Sequence, residues 1–373
     1  MVPEWTNKSS SSTKTLLPFC FLTVLLLITA VCAQTGRLVE HRLHSPALAD
    51  NLLGDPAENL VLVYLPPTYD LEQQRRFPVL YLLHPYGAGP RLWVSPPLDL
   101  PKTMDALIQE NKISPLIVVM PSAHNRYRGS FHLNSKVTGR WEDFLTQELV
   151  TFIDGTYRTL PQAASRGLAG HSMGGYGALI TALRHPERFG ACYGLSPCCL
   201  DFEAQFLKIL REPMLAVLKV NSQEEFPNLP WRQQVVIAMA AAAAPNPKKT
   251  PFLADLPLQE TQGNIVRDDL VWRRWRQHDP LTLIRSSQPQ LRKLHLAFDM
   301  GTADNLLSMA RTFSQALTDV GLAHTYEEFD GDHSNRLKER LTTRALPFFS
   351  RTLVHSSLKN AKPPVSFREH ISR

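Results

Sequence analysis

A serine flanked by glycines is the clearest candidate for chemistry in this chain. Residues 169–177 read AGHSMGGYG, and Ser172 occupies the centre of a G-x-S-x-G pattern. The pattern alone is weak evidence, because common residues produce it by chance in roughly one of ten chains of this length. A serine hydroxyl becomes a useful nucleophile only when a base takes its proton and an acid orients that base. The interpretation therefore depends on finding both partners.

Candidate partners occur downstream in the order acid, then histidine. His333 lies in the segment FDGDHSN, directly after the last predicted strand. The segment LAFDMGTADN offers Asp299 at the end of a predicted strand and Asp304 in the loop that follows. We predict that Asp304 orients His333, because a side chain in that loop can reach over the edge of the sheet. Asp299 remains the alternative, with a structural carboxylate as its expected role.

Other titratable groups near these motifs have plainer interpretations. Asp330 and Asp332 lie too close to His333 in sequence to reach it easily from the far side. We expect His84 to support the loop beside the site and His171 to pack beneath the serine turn.

A serine hydrolase also needs two backbone N–H groups to stabilise the oxyanion. One is expected from Met173, directly after the nucleophile. The second is expected from the loop HPYGAG at 84–89. Pro85 has no N–H to donate, so Tyr86 is the predicted donor and Gly87 is the fallback.

The elements on either side of Ser172 favour a functional turn over a simple glycine-rich bend. A predicted strand at 165–170 precedes the serine, and a predicted helix from Met173 follows it. This is the arrangement of a nucleophile elbow, in which glycines allow the strand and the helix to approach closely. The N-terminus of the helix also directs free N–H groups toward the serine.

Strands alternate with helices along most of the chain, and this alternation predicts a mostly parallel sheet with helices on both faces. Predicted strands cover 58–67, 77–87, 114–122, 165–170, 189–197, 291–301 and 323–333, and predicted helices cover 105–112, 140–157, 173–186, 306–321 and 336–353. Residues 200–290 interrupt the alternation. We interpret this segment as a mainly helical insertion or lid without clear strands.

Composition places the chain among ordinary globular proteins. It has 373 residues, of which 43% are hydrophobic and 20% charged, with a formal net charge of +6. No dense basic block of the kind that binds nucleic acid is present. No HExxH motif or CxxC pair indicates a metal site, and no cofactor is expected.

The N-terminal segment has the features of an export signal. Basic residues precede an apolar run at 16–33, and the small residue Ala33 stands before Gln34. We predict a signal peptide at 1–33, a hydrolase domain at 34–355 and a polar tail at 356–373. The protein would then be secreted or periplasmic, with no integral membrane association after cleavage. An uncleaved N-terminal membrane anchor is the alternative.

Three cysteines remain beyond the predicted signal: Cys192, Cys198 and Cys199. An odd number permits at most one disulfide among them and leaves a free thiol. The neighbouring pair 198 and 199 is poorly placed to bridge without strain.

The motifs together resemble the esterase D-like family of α/β-hydrolases. The segments VYLPPTYD, PVLYLLHPYG, GLAGHSMGGYGAL, RHPERFG, DMGTADN and GDHS carry this resemblance, which covers roughly residues 58–350. It implies the α/β-hydrolase fold, with Ser172 as nucleophile, Asp304 as acid, His333 as base, and Tyr86 and Met173 as oxyanion donors. The family usually has His-Gly where this chain has His84-Pro85. The insertion is also longer than in compact members.

The predicted function is that of an exported serine hydrolase that cleaves carboxylic esters through an acyl-enzyme. Its expected substrate is a small-molecule, lipid or aryl ester, and no cofactor or metal is expected. Two alternatives remain open: an acyltransferase that uses the same acyl-enzyme, and a non-catalytic binding protein of the same fold. The oligomeric state is not predicted.

Overall fold

A twisted sheet of eight strands forms the centre of the protein. The computed structural model describes Met1 and residues 35–285 and 289–356. The predicted signal peptide, except Met1, and the tail beyond residue 356 lie outside the described residues.

Twelve strands are present in the described residues: β1 Arg37–His44, β2 Glu58–Leu65, β3 Val79–Leu83, β4 Ile117–Pro121, β5 Asn134–Ser135, β6 Gly139–Arg140, β7 Arg166–His171, β8 Ala191–Leu195, β9 Leu258–Thr261, β10 Asn264–Arg267, β11 His295–Gly301 and β12 His324–Phe329. Eight of them form the main sheet in the order β1-β2-β4-β3-β7-β8-β11-β12. The pairs β1–β2 and β2–β4 are antiparallel, and the other neighbours run parallel. The predicted fold class is therefore confirmed.

The central strands are almost wholly apolar because both faces of the sheet are covered. Every residue of β3, β4, β7 and β8 is buried. The longer helical segments that cover the sheet or join its strands are Leu100–Gln109, Trp141–Asp143 continued by Phe144–Leu149 and Val150–Thr156, Met173–Arg184, Leu307–Asp319, and Leu337–Arg340 continued by Leu341–Ala345 and Leu346–Thr352. This burial on both faces is what parallel strands require.

Strand β1 escaped the sequence analysis. Its sequence RLVEHRLH has no regular alternation of polar and apolar residues, and only Val39, His41 and Leu43 are half-buried. It pairs only with β2, at the edge of the sheet. An edge strand with one solvated face lacks the apolar run that identified the central strands.

The insertion at 200–290 contains the segments Glu203–Ile209, Arg211–Val217, Gln223–Asn228, Trp231–Ala243, Asp269–Arg276 and Pro280–Arg285, and also the hairpin of β9 and β10. The insertion is mainly helical, as predicted, and it also contains this hairpin, which no sequence pattern had indicated. Gln262 and Gly263 join the two strands with φ angles of 52° and 78°, as a tight hairpin turn requires. The exposed polar strands had no apolar pattern to reveal them.

The insertion is packed into the core and does not form a separate layer. Within helix Trp231–Ala243, residues 235–243 are buried in the same apolar cluster as the sheet. Alanine side chains permit close approach: Ser135 Oγ donates a hydrogen bond of 2.6 Å to the carbonyl of Ala241. Among the described residues, no helix is both long and apolar enough to cross a membrane.

A pH-dependent ion pair joins two helices beside the sheet. Glu142 accepts hydrogen bonds from His185 Nε2 at 2.8 Å and from Arg184 at 2.7 Å. The hydrogen bond to Glu142 raises the pKa of His185 above its usual 6.5. Burial tends to raise the pKa of Glu142, but its two partners outweigh burial and lower it below 4.5.

We expect His185→Gln to destabilise the protein by about 1 kcal/mol near pH 5.5 and by less at pH 8.5. The raised pKa of His185 stabilises the fold below about pH 6.5, and this contribution is lost as the pH rises through the folded-state pKa. The lowered pKa of Glu142 stabilises the fold above about pH 4.5, and this contribution is lost as the pH falls through the folded-state pKa. Urea unfolding of both proteins at the two pH values measures the difference. An equal difference at both would contradict this assignment.

Candidate active site

Ser172 occupies a strained turn between β7 and helix Met173–Arg184. Its φ and ψ angles are 55° and −113°, an unusual conformation for a residue with a side chain. The turn is possible because glycines stand where the helix crosses the strands. A Cβ placed on Gly174 would lie 2.1 Å from the carbonyl oxygen of Leu83, and one on Gly170 would lie 2.4 Å from the backbone of Gly174.

We expect Gly174→Ala to destabilise the protein by about 2 kcal/mol or more and to lower any activity that depends on Ser172, because the added methyl group collides with rigid strand backbone. Gly155→Ala is the matched control. Gly155 lies in helix Val150–Thr156, and a Cβ there meets nothing within 4 Å. That change is expected to be neutral or to stabilise by up to about 1 kcal/mol. Thermal unfolding and activity measure both variants, and equal behaviour would refute the packing argument.

The structure brings Ser172, His333 and Asp304 into one hydrogen-bonded chain. His333 Nε2 lies 2.9 Å from Ser172 Oγ, and His333 Nδ1 lies 2.6 Å from Asp304 Oδ2. Asp304 is 8% exposed, and its other oxygen accepts a hydrogen bond of 2.9 Å from the amide of Leu306. A neutral His333 that donates from Nδ1 to Asp304 can accept the serine proton at Nε2.

Asp299, the alternative acid, lies in a different network. It accepts hydrogen bonds from Tyr193 Oη at 2.9 Å, from the Ser196 amide at 3.1 Å and from Arg340 Nε at 2.8 Å. Burial raises the pKa of Asp299, and Arg340 opposes that shift. None of its hydrogen bonds among the described residues involves His333. This carboxylate ties the ends of β8 and β11 to the C-terminal helix.

Two of the residues that line the cavity, Tyr86 and Met173, have a backbone N–H without an acceptor among the described residues. Ser172 lines the same cavity. The Gly87 amide, the fallback donor, is already bonded to the carbonyl of Arg128 at 3.0 Å. Of the three amides considered from the sequence, those of Tyr86 and Met173 therefore have no acceptor among the described residues, and their role as oxyanion donors stays a prediction.

His171 and His84 hold the surrounding loops. His171 Nε2 donates a hydrogen bond of 2.8 Å to the carbonyl of His333, and burial lowers the pKa of His171 to about 4. His84 Nε2 accepts a hydrogen bond of 2.8 Å from the Ala123 amide, and burial lowers its pKa to about 4 as well. Both imidazoles are consequently neutral at pH 7, and the first of them fixes the backbone of His333.

The cavity beside Ser172 has a volume of about 960 Å³ and mostly apolar walls. The insertion supplies much of its wall, including Gln205, Leu210 and Trp231. Trp231 is 61% exposed, and its ring lies edge-on to that of Tyr86 at 6.1 Å between centroids. Sequence analysis missed these wall residues because they belong to no motif and only the folding of the insertion brings them to the serine.

The described residues contain neither a candidate metal site nor a disulfide bond. Among the described residues, no group of three or more His, Cys, Asp or Glu side chains could hold a metal ion. Cys192, Cys198 and Cys199 are buried and unbridged. Burial raises the pKa of the Cys192 and Cys199 thiols.

Known proteins provide an independent comparison. Residues 57–341 match the family described as "Putative esterase", which confirms the resemblance noted in the sequence. An endo-1,4-β-xylanase/feruloyl esterase of Xylanibacter ruminicola is 36% identical over 132 residues, which are 34% of this chain and 18% of that protein. An S-formylglutathione hydrolase of Mus musculus is 38% identical over 64 residues, 17% of this chain and 22% of that protein.

A similar architecture occurs in a solved ferulic acid esterase. The two structures share a TM-score of 0.60 at 20% sequence identity, and the match covers 86% of this chain and 99% of the other. At that level of identity the likeness demonstrates the fold. The matches to the two curated relatives span less than a quarter of their lengths.

Proposed function

The chain belongs to the "Putative esterase" family, and we propose that it hydrolyses carboxylic esters with Ser172 as the nucleophile. The observation that carries this proposal is the hydrogen-bonded chain from Asp304 through His333 to the serine hydroxyl. That chain opens on an apolar cavity beside two free backbone amides.

The reaction proceeds in two halves. His333 takes the proton of Ser172 as the hydroxyl oxygen attacks the ester carbonyl, and Asp304 stabilises the imidazolium. The tetrahedral oxyanion is held by the amides of Tyr86 and Met173. His333 then protonates the leaving alcohol, and an acyl-enzyme remains. Water, deprotonated by the same histidine, attacks the acyl-enzyme and releases the acid.

The substrate class follows from the cavity. Its walls are mostly apolar and its volume is about 960 Å³, which suits small-molecule esters with an apolar or aromatic group. Relatives named feruloyl esterase and S-formylglutathione hydrolase support the choice of ester and acyl chemistry.

We also propose that the protein is exported by its N-terminal segment. The apolar run at 16–33 followed by Gln34 supports this assignment. Expression of the full chain in a secreting host tests it: the mass of the mature protein should correspond to a chain that begins at Gln34. A full-length protein retained with membranes would instead favour an N-terminal anchor.

Covalent labelling tests the catalytic proposal directly. A fluorophosphonate should form one adduct with the native protein, and peptide mapping should place it on Ser172. Ser172→Ala and heat-unfolded wild-type protein are the controls, and neither should be labelled. A native protein that resists labelling and cleaves no nitrophenyl ester would favour a non-catalytic binding protein.

A further inference from the structure

Gln205 lines the cavity that holds Ser172, and its side-chain oxygen has no hydrogen-bond partner among the described residues. It lies in segment Glu203–Ile209 of the insertion and is only 7% exposed. Its backbone is fully bonded: its N–H donates to Asp201 and its carbonyl accepts from Leu210, both at 2.9 Å. That side-chain oxygen, Oε1, is itself buried.

A buried amide oxygen without a partner is costly. Such a group has lost its hydrogen bonds to water and has gained none from the protein. The cavity wall around it is largely apolar, with Phe131, Cys199 and Leu210 all buried. The cavity is the route by which a substrate group can reach this side chain. Rotation of the amide can present either its oxygen or its N–H₂ group, so a hydroxyl suits both orientations.

The residues that line the cavity differ in exposure. The lining residues Asn305 and Ser334 beside His333 are exposed, and so is Trp231 of the insertion. Gln205 belongs to the buried wall. In the proposed reaction the alcohol must leave and water must enter beside His333 while the acyl group stays attached to Ser172. The acyl group therefore stays in the cavity through both halves of the reaction, and it is the part of the substrate that can rest against Gln205.

We propose that Gln205 is a specificity-determining residue that selects acyl groups which are apolar along their length and carry a hydroxyl far from the ester carbonyl. This inference rests on the proposed ester hydrolysis. The acyl hydroxyl forms a hydrogen bond with the Gln205 amide. An acyl group without the hydroxyl leaves the amide oxygen without that partner, and sites built for a hydrogen bond discriminate strongly against substrates that lack it.

Matched substrate pairs test the proposal. Ethyl esters of ω-hydroxy acids and of the corresponding unsubstituted acids, over a series of chain lengths, are compared by the release of acid. For at least one chain length, wild-type protein should show a kcat/KM at least about tenfold higher for the hydroxylated ester.

Gln205→Met keeps the length of the side chain and removes the amide. We expect it to lower kcat/KM for the preferred hydroxylated ester by about tenfold and to leave the unsubstituted ester unchanged or faster. Its melting temperature should be unchanged or higher, because the unpaired amide oxygen is gone; a structural role for the amide would lower it. Gln205→Asn, with a shorter amide, should lie between the two. Gln259→Met, an exposed glutamine of the same insertion, is the matched control and should match wild type.

The outcomes separate this inference from the proposed function. Equal rates for both members of every pair, or an equal loss on both in Gln205→Met, would overturn the role of Gln205 while Ser172-dependent hydrolysis stands. Absence of any hydrolysis, together with an unlabelled Ser172, would overturn both.

Discussion

Replacing His333 by alanine is expected to lower kcat for ester hydrolysis by roughly 10⁶-fold, a loss comparable to removal of the nucleophile itself. His333 Nε2 lies 2.9 Å from Ser172 Oγ. Without it no base takes the serine proton, and no acid protonates the leaving alcohol. Steady-state rates on a nitrophenyl ester, with Ser172→Ala measured in parallel, provide the test.

The double variant sharpens this prediction. Residues that act as one unit are not additive, so Ser172→Ala combined with His333→Ala should be no slower than either single variant. His124→Ala is the matched histidine control, because His124 is exposed and does not line the cavity. Its activity should equal that of the wild type. A His333→Ala protein that retains activity within about tenfold would contradict the mechanism.

Asp304→Asn is expected to lower kcat by about 10⁴-fold with little change in stability. The asparagine oxygen can still accept the hydrogen bond from the Leu306 amide. Its N–H₂ group, however, can donate to His333 Nδ1 and so favours the tautomer with the proton on Nε2. That tautomer cannot accept the serine proton, so the nucleophile is not activated.

Asp299→Asn is expected to have the opposite effect to Asp304→Asn: it should lower stability and leave kcat nearly unchanged. The buried carboxylate is bonded to Arg340, and neutralising it leaves a buried guanidinium short of one anionic partner. We expect a loss of about 3 kcal/mol in unfolding free energy, with kcat per folded molecule nearly unchanged. Hydrolysis rates and urea unfolding of Asp299→Asn and Asp304→Asn show which of the two carboxylates acts in catalysis. If Asp299→Asn abolishes turnover while Asp304→Asn does not, the assignment of the acid is wrong.

Sequence patterns predicted secondary structure best where both faces of a strand are buried, because such a strand must be a continuous apolar run. The strands β3, β4, β7 and β8 were predicted for this reason, as was the helix after Ser172. Patterns were least informative at exposed edges. Strand β1 and the β9–β10 hairpin have solvated faces, so neither apolar runs nor a strict period identified them.

The sequence by itself determined the residue types and order of the candidate site. Chain order and loop position favoured Asp304 over Asp299, and the missing N–H of Pro85 directed attention to Tyr86. These inferences are local, because they depend on chemistry within a few residues of a strand end.

Only the tertiary structure decided which groups are still free to act. The Gly87 amide is bonded to a carbonyl of another loop, and Asp299 is bonded to Arg340 from the C-terminal helix. The side-chain oxygen of Gln205 has no partner among the described residues, because the insertion buries it in a largely apolar cavity wall. Hydrogen-bond satisfaction depends on groups that are distant in sequence, and no local pattern of residues encodes it.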